Sequence, residues 1–107
     1  MDYIRNDYET ILRRREAKEE GSYTCYLFEQ GIDKILKKVG EESTEMVIAA
    51  KNGNNEETVG EICDLIYHTL VMMVAQDISI EDVEAVLHKR AEKAGNLKQF
   101  HKVDKNS

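Results

Sequence analysis

The chain has 107 residues and a mass of 12.3 kDa, long enough for one hydrophobic core and too short for two domains of ordinary size. Its 15 Lys and Arg against 21 Asp and Glu leave a net charge of -6. That balance argues against neutralising nucleic-acid phosphates or coating anionic lipid, so no nucleic-acid or membrane partner is expected and a cationic cofactor is the more natural complement.

The opening residues, Met1-Asp2-Tyr3-Ile4-Arg5-Asn6-Asp7, carry charges where a signal peptide needs an apolar stretch. No later run approaches the 18 apolar residues of a membrane span, so a cytoplasmic location is expected. Tyr3, Ile4, Tyr8, Ile11 and Leu12 recur at helical spacing and predict a first helix from about Asp2 to Lys18. Arg13-Arg14-Arg15 could clamp a phosphate, but Glu16, Glu19 and Glu20 follow at once, and the run reads as a solvated, self-paired helix face. Gly21-Ser22-Tyr23-Thr24 is a break with two possible N-caps, followed by a short helix, an interruption at Gly31 and a long helix. The long helix ends at Asn52-Gly53-Asn54-Asn55, where Gly53 suits a C-terminal cap and Asn55 can cap the next helix ahead of Glu56 and Glu57. That helix reaches about Gln76. Ser79-Ile80-Glu81-Asp82 resembles a capping box for a last helix ending near Gly95, and residues 96–107 read as a polar, poorly ordered tail to a single domain over 1–95.

With no proline, abundant Glu, Lys, Leu, Ala and Met, and little alternation of apolar and polar residues, the expected class is all-α. The architecture is a bundle of four to five helices around a central antiparallel hairpin. The helix from Val59 to Val74 is apolar nearly all round, a pattern that needs burial on every side. A chain this short has trouble enclosing such a helix alone, so dimerisation is expected to complete the bundle. Cys25 and Cys63 lack any C-x-x-C spacing and read as reduced, with Cys63 a small helix-packing residue.

Two acidic motifs sit on the facing helices of the hairpin: Glu41-Glu42-Ser43-Thr44-Glu45, and Glu61-Ile62-Cys63-Asp64. At 100° per residue Glu42 lies within the stripe formed by Ile35, Val39 and Met46, where a lone carboxylate should not be. On the second helix Glu61, Asp64, Glu57 and His68 make one polar stripe on an otherwise apolar cylinder. Residues equidistant from an antiparallel turn lie at one height. Glu42 with Asp64, Glu45 with Glu61, and Lys38 with His68 are all centred on Gly53. Four carboxylates therefore converge, one helical turn of ~5 Å apart. Two unit charges 4 Å apart repel by roughly 4 kcal/mol at an effective dielectric of 20, so such a group takes up protons or binds a cation. Oxygen-only ligands favour Mg²⁺, with Mn²⁺ as a substitute. Lys38 and His68, one turn beyond, suit a phosphate, although an interior histidine satisfied by a backbone carbonyl is the competing reading of His68. Gly40 and Gly60 each precede an acidic motif and suggest close helix approach.

E-E-x-x-E followed after a short hairpin by E-x-x-D resembles the all-α nucleoside triphosphate pyrophosphohydrolases of the MazG-like superfamily. Within it, Gly21-Ser22-Tyr23-Thr24, Lys34-Ile35-Leu36-Lys37-Lys38-Val39-Gly40-Glu41-Glu42, Val47-Ile48-Ala49-Ala50-Lys51-Asn52 and Asp64-Leu65-Ile66-Tyr67-His68 resemble the phosphoribosyl-ATP pyrophosphohydrolase family. The resemblance covers roughly residues 3 to 95. It departs at Ala94-Gly95-Asn96-Leu97-Lys98, where relatives commonly carry a Ser-Gly-containing basic segment. It implies Mg²⁺-dependent hydrolysis of the α,β-phosphoanhydride of phosphoribosyl-ATP, the second step of histidine biosynthesis, by a homodimer. Under it Glu42, Glu45, Glu61 and Asp64 hold the metal, and Glu41 orients or deprotonates the attacking water. Lys38 and His68 meet phosphate, and Tyr23 and Thr24 lie near the nucleotide. Three other functions fit parts of the pattern. A house-cleaning pyrophosphohydrolase would act on dCTP or dUTP. A di-iron bundle would need E-x-x-H motifs that are absent here, and a helical interaction module would bind no metal. An EF-hand is excluded by the lack of a D-x-D-x-D-G loop.

Overall fold

Four of the five helices begin where a short polar side chain satisfies an otherwise unpaired backbone N–H. The computed structural model describes residues 1–97, and all its regular structure is helical. Asp2 accepts from the Arg5 amide at 2.9 Å and opens α1 (Tyr3–Glu16). Ser22 accepts from the Cys25 amide at 3.1 Å and opens α2 (Tyr23–Gln30). Gly31, at φ 91° and ψ -179°, separates α2 from α3 (Ile32–Lys51) with no side-chain cap, because this backbone region is open essentially to glycine alone. Asn54 accepts from the Glu57 amide at 3.0 Å and opens α4 (Asn55–Ala75). Ser79 accepts from the Asp82 amide at 3.0 Å and opens α5 (Ile80–Leu97).

The differences from the expected boundaries have local causes. The first helix is shorter than Asp2 to Lys18 because Asp2 is its cap and the chain is already extended at Ala17. Asn54, rather than Asn55, caps α4, and its amide also donates to the Glu57 carboxylate at 3.1 Å. Glu57 is thereby absorbed in the cap. The last helix continues past Gly95 to Leu97, and the rest of the expected tail, 98–107, lies outside the described residues.

The hydrophobic core joins Ile11 of α1, Leu27 of α2, Ile35 of α3, Leu70, Val71, Met73 and Val74 of α4, and Ile80 of α5. Ionic and polar contacts tie the same ends together. Arg15 donates to the Val74 carbonyl at 2.5 Å and to Asp77 at 2.8 Å, placing a cation at the negative end of α4. Arg14 pairs with Glu19 at 3.2 Å, so the arginine run is consumed by intramolecular contacts, as its acidic surroundings imply. The Tyr8 hydroxyl donates to the Ile78 carbonyl at 2.8 Å, and Arg5 bridges Glu81 and Glu84 of α5 at 2.5 and 2.7 Å.

The central helix α4 is buried only over its second half. Val59 and Ile62 are 60% and 40% exposed, and Cys63 is exposed rather than packed. By length and average composition α4 is apolar enough to cross a membrane, although acidic residues interrupt it and it holds no run of 18 apolar residues. Its second half, however, is built into the core just described. Gly40 and Gly60 do not mark close approach either: a Cβ at either position would meet nothing within 4 Å.

Candidate active site

Gly53, at φ 73°, turns the chain between α3 and α4, and the two helices pack along their length as an antiparallel hairpin. That register brings the acidic motifs together. Glu42, Glu45 and Glu61 each place a carboxylate oxygen within 4.8 Å of the others. Glu42 is the inward member, 7% exposed, and its buried Oε2 has no hydrogen-bond partner in the protein. Burial, and then the nearby carboxylates of Glu45 and Asp64, push its pKa up. Partial burial and the charges of Glu45, Glu42 and Asp64 push Glu61 the same way. An unpartnered buried carboxylate oxygen among three converging acids is a donor set that fits a hard divalent cation. Asp64 is exposed and stands outside the trio of closest oxygens, although its charge is felt by both Glu42 and Glu61.

Lys38, one helical turn before Glu42, pairs with Glu41 at 3.5 Å and with Glu42 at 3.7 Å. Burial works against its charge. Tyr23, Glu41 and Glu42 outweigh that effect and hold the ammonium above its usual pKa. Glu41 itself is exposed and sits at the edge of the cluster.

His68 is 6% exposed and has both ring nitrogens engaged. A carbonyl oxygen can only accept, so Nδ1 donates to the Asp64 carbonyl at 2.8 Å, which leaves Nε2 to accept from the Tyr23 hydroxyl at 2.8 Å. The competing reading of this histidine is thus half realised: one nitrogen is satisfied by backbone, while the other fixes a tyrosine beside Lys38. The Tyr23 ring also meets His68 edge-on, with centroids 5.7 Å apart. Burial raises the Tyr23 pKa against the opposing pull of Lys38. Thr24 is buried and hydrogen-bonded through its hydroxyl to the Tyr67 hydroxyl, so this side chain joins α2 to α4. Tyr67 was not among the expected site residues. No signal in the sequence marks it, because its partner Thr24 lies 43 residues away along the chain.

The model of the phosphoribosyl-ATP pyrophosphohydrolase family matches residues 5–91, a span that contains every residue named above as a site candidate. The chain belongs to that family. Relatives named phosphoribosyl-ATP pyrophosphatase include one from Clostridium novyi, 53% identical over 98 residues, covering 92% of this chain and 89% of the relative. One from Clostridium acetobutylicum is 58% identical over 92 residues, covering 86% and 84% respectively. A third, from Listeria welshimeri, is 50% identical over 97 residues, covering 91% and 93%. As a phosphoribosyl-ATP pyrophosphohydrolase family member, the chain presents on its α3–α4 hairpin a carboxylate cluster with a lysine one turn away.

Proposed function

We propose that this chain hydrolyses phosphoribosyl-ATP to phosphoribosyl-AMP and pyrophosphate with Mg²⁺, or Mn²⁺ in its place, as a cytoplasmic homodimer serving the second step of histidine biosynthesis. The observation that carries the reading is the buried, unpartnered Oε2 of Glu42 within a trio of carboxylates, in a chain whose family match spans residues 5–91. Glu42, Glu45 and Glu61, with Asp64 adjoining, would hold the cation. Bound there, it would supply charge neutralisation for the phosphate oxygens and make water more acidic.

The remaining work belongs to protein groups. Lys38 holds a phosphate oxygen, leaving its present contacts with Glu41 and Glu42 as substrate enters. Glu41, at the cluster's edge, accepts a proton from the attacking water. A new phosphorus–oxygen bond forms to that water as the α,β-bridging bond breaks, and pyrophosphate departs with the electron pair. Tyr23, whose proton is committed to His68, favours the charged form of the lysine. The apolar surface left open on Val59 and Ile62 of α4 and on Val83, Val86 and Leu87 of α5 supports a second copy as the partner.

Pyrophosphate release from phosphoribosyl-ATP, dCTP, dUTP and ATP in parallel tests the substrate. Release from phosphoribosyl-ATP alone is expected. Release from only the free nucleotides would replace this substrate by a house-cleaning one, and release from none would favour an interaction module.

A further inference from the structure

His68 stands at the height of Lys38 on the facing helix, and its buried imidazole is fully engaged within the protein. Nδ1 carries the proton, because its partner, the Asp64 carbonyl at 2.8 Å, can only accept. In that neutral tautomer Nε2 has only a lone pair to offer, and the Tyr23 hydroxyl fills it at 2.8 Å. A phosphate oxygen needs a donor. To supply one, this histidine would have to give up Tyr23, take up a second proton and leave its buried position, each step at a cost.

What the imidazole does hold is α2. Its ring stands nearly perpendicular to two others, Tyr23 and its own neighbour Tyr67, with centroids 5.7 and 6.0 Å away and planes at 78° and 82°. Beside the Tyr23–His68 bond runs a second, from buried Thr24 to Tyr67, so two consecutive residues of α2 are joined to two consecutive residues of α4. Two adjacent bonds fix rotation as well as distance, which one alone does not. The first turn of α2 is thereby set on α4 one turn beyond Asp64, and it brings Tyr23 close enough to Lys38 to act on its charge.

We propose that His68 is a positioning residue of the hydrolytic site: acting through the Tyr23 hydroxyl, it fixes the first turn of α2 and so sets where the Lys38 ammonium stands, without touching substrate. This rests on the reading of the carboxylate cluster as the phosphoanhydride-hydrolysing centre. Lys38 is shared between Tyr23 and the carboxylates of Glu41 and Glu42 at 3.5 and 3.7 Å. A Tyr23 free to swing leaves the ammonium to the glutamates, and a misplacement of about 1 Å in a site of this kind costs up to about a hundredfold in rate.

Two substitutions separate the ring nitrogens, because the amide of Gln reaches the place of Nε2 and that of Asn the place of Nδ1. His68→Gln keeps an acceptor for the Tyr23 hydroxyl, whereas His68→Asn keeps only the bond to the Asp64 carbonyl. Helical circular dichroism and cooperative urea unfolding are confirmed for each variant. For phosphoribosyl-ATP, kcat should fall about tenfold or more in His68→Asn and in Tyr23→Phe, and no further in the double variant. It should stay within about twofold of the wild type in His68→Gln, while inhibition by inorganic tripolyphosphate is unchanged throughout. Losses that multiply in the double variant, equal losses in His68→Gln and His68→Asn, or weakened tripolyphosphate inhibition in the His68 variants would overturn the proposal. A second measurement does not depend on turnover. Nitrogen NMR of the metal-free, histidine-labelled wild type should show His68 protonated at Nδ1 alone, unmoved by tripolyphosphate and shifted at Nε2 in Tyr23→Phe. A protonated Nε2, or one that shifts when tripolyphosphate is added, would overturn it as well. A wild type that hydrolyses no phosphoribosyl-ATP would instead remove the catalytic reading, and the nitrogen spectra would still decide whether His68 holds Tyr23 or meets phosphate.

Discussion

At Glu42 a carboxylate is buried with one oxygen unpartnered and other acids beside it, so ionisation opposes folding until a cation arrives. A carboxyl whose folded pKa lies above its unfolded value binds its proton more tightly in the folded state. The folded state is therefore favoured as pH falls through the raised pKa and disfavoured above it. The groups facing Glu42 are Lys38, Glu45, Glu61, Asp64 and His68. In metal-free buffer, Glu42→Gln should melt above the wild type at neutral pH, with the gap closing as pH falls. Saturating Mg²⁺ should raise the wild-type melting temperature, by about 2.7 kcal/mol of stabilisation at a hundredfold excess over Kd, and leave the variant unmoved. Thermal denaturation across pH, with and without Mg²⁺, checks both. His68→Ala should act differently: it takes away the partner of the Tyr23 hydroxyl and empties the space of a buried imidazole, and urea unfolding should show a loss of about 1–3 kcal/mol.

At the scale of the helix, the turn at Gly31 is the most exacting position. Its φ of 91° with extended ψ excludes a Cβ on conformational grounds, even though the space around it is open. Gly31→Ala should cost about 1–3 kcal/mol in urea unfolding and loosen the approach of α2 to α3. Much of this level was legible in the sequence. Caps are local, so Ser22, Gly31, Gly53 and Ser79 announced their helix ends, and the equal spacing about Gly53 placed Glu45 opposite Glu61. Periodicity reports which face a residue occupies but not what covers that face, which is why Cys63 was read as packed and is exposed. The glycines before the acidic motifs misled for a related reason: a missing side chain signals close approach only when a neighbour is near. The Thr24–Tyr67 and Tyr23–His68 bonds join segments more than forty residues apart, and no local pattern specifies such pairings.

Across the molecule, the radius of gyration is 16.7 Å, against about 13 Å for a compact domain of this length. The difference matches α5, which is buried at Ile80 and exposed from Glu81 through Ala94, with Val83, Val86 and Leu87 open to solvent. A second copy covering those residues and the open half of α4 would complete the core. Sedimentation equilibrium should give a mass twice the chain's 12.3 kDa. A single-chain mass at micromolar concentration would contradict the dimer.

The most direct test of the account as a whole is pyrophosphate release from phosphoribosyl-ATP across a Mg²⁺ titration, for the wild type and for Glu42→Gln with its helical circular dichroism confirmed. Wild-type turnover should rise with Mg²⁺ from a negligible baseline and fall by at least about a hundredfold in the variant. Turnover that is indifferent to Mg²⁺, or that survives in Glu42→Gln at the wild-type rate, would contradict the assignment of the carboxylate cluster as the metal-holding catalytic centre.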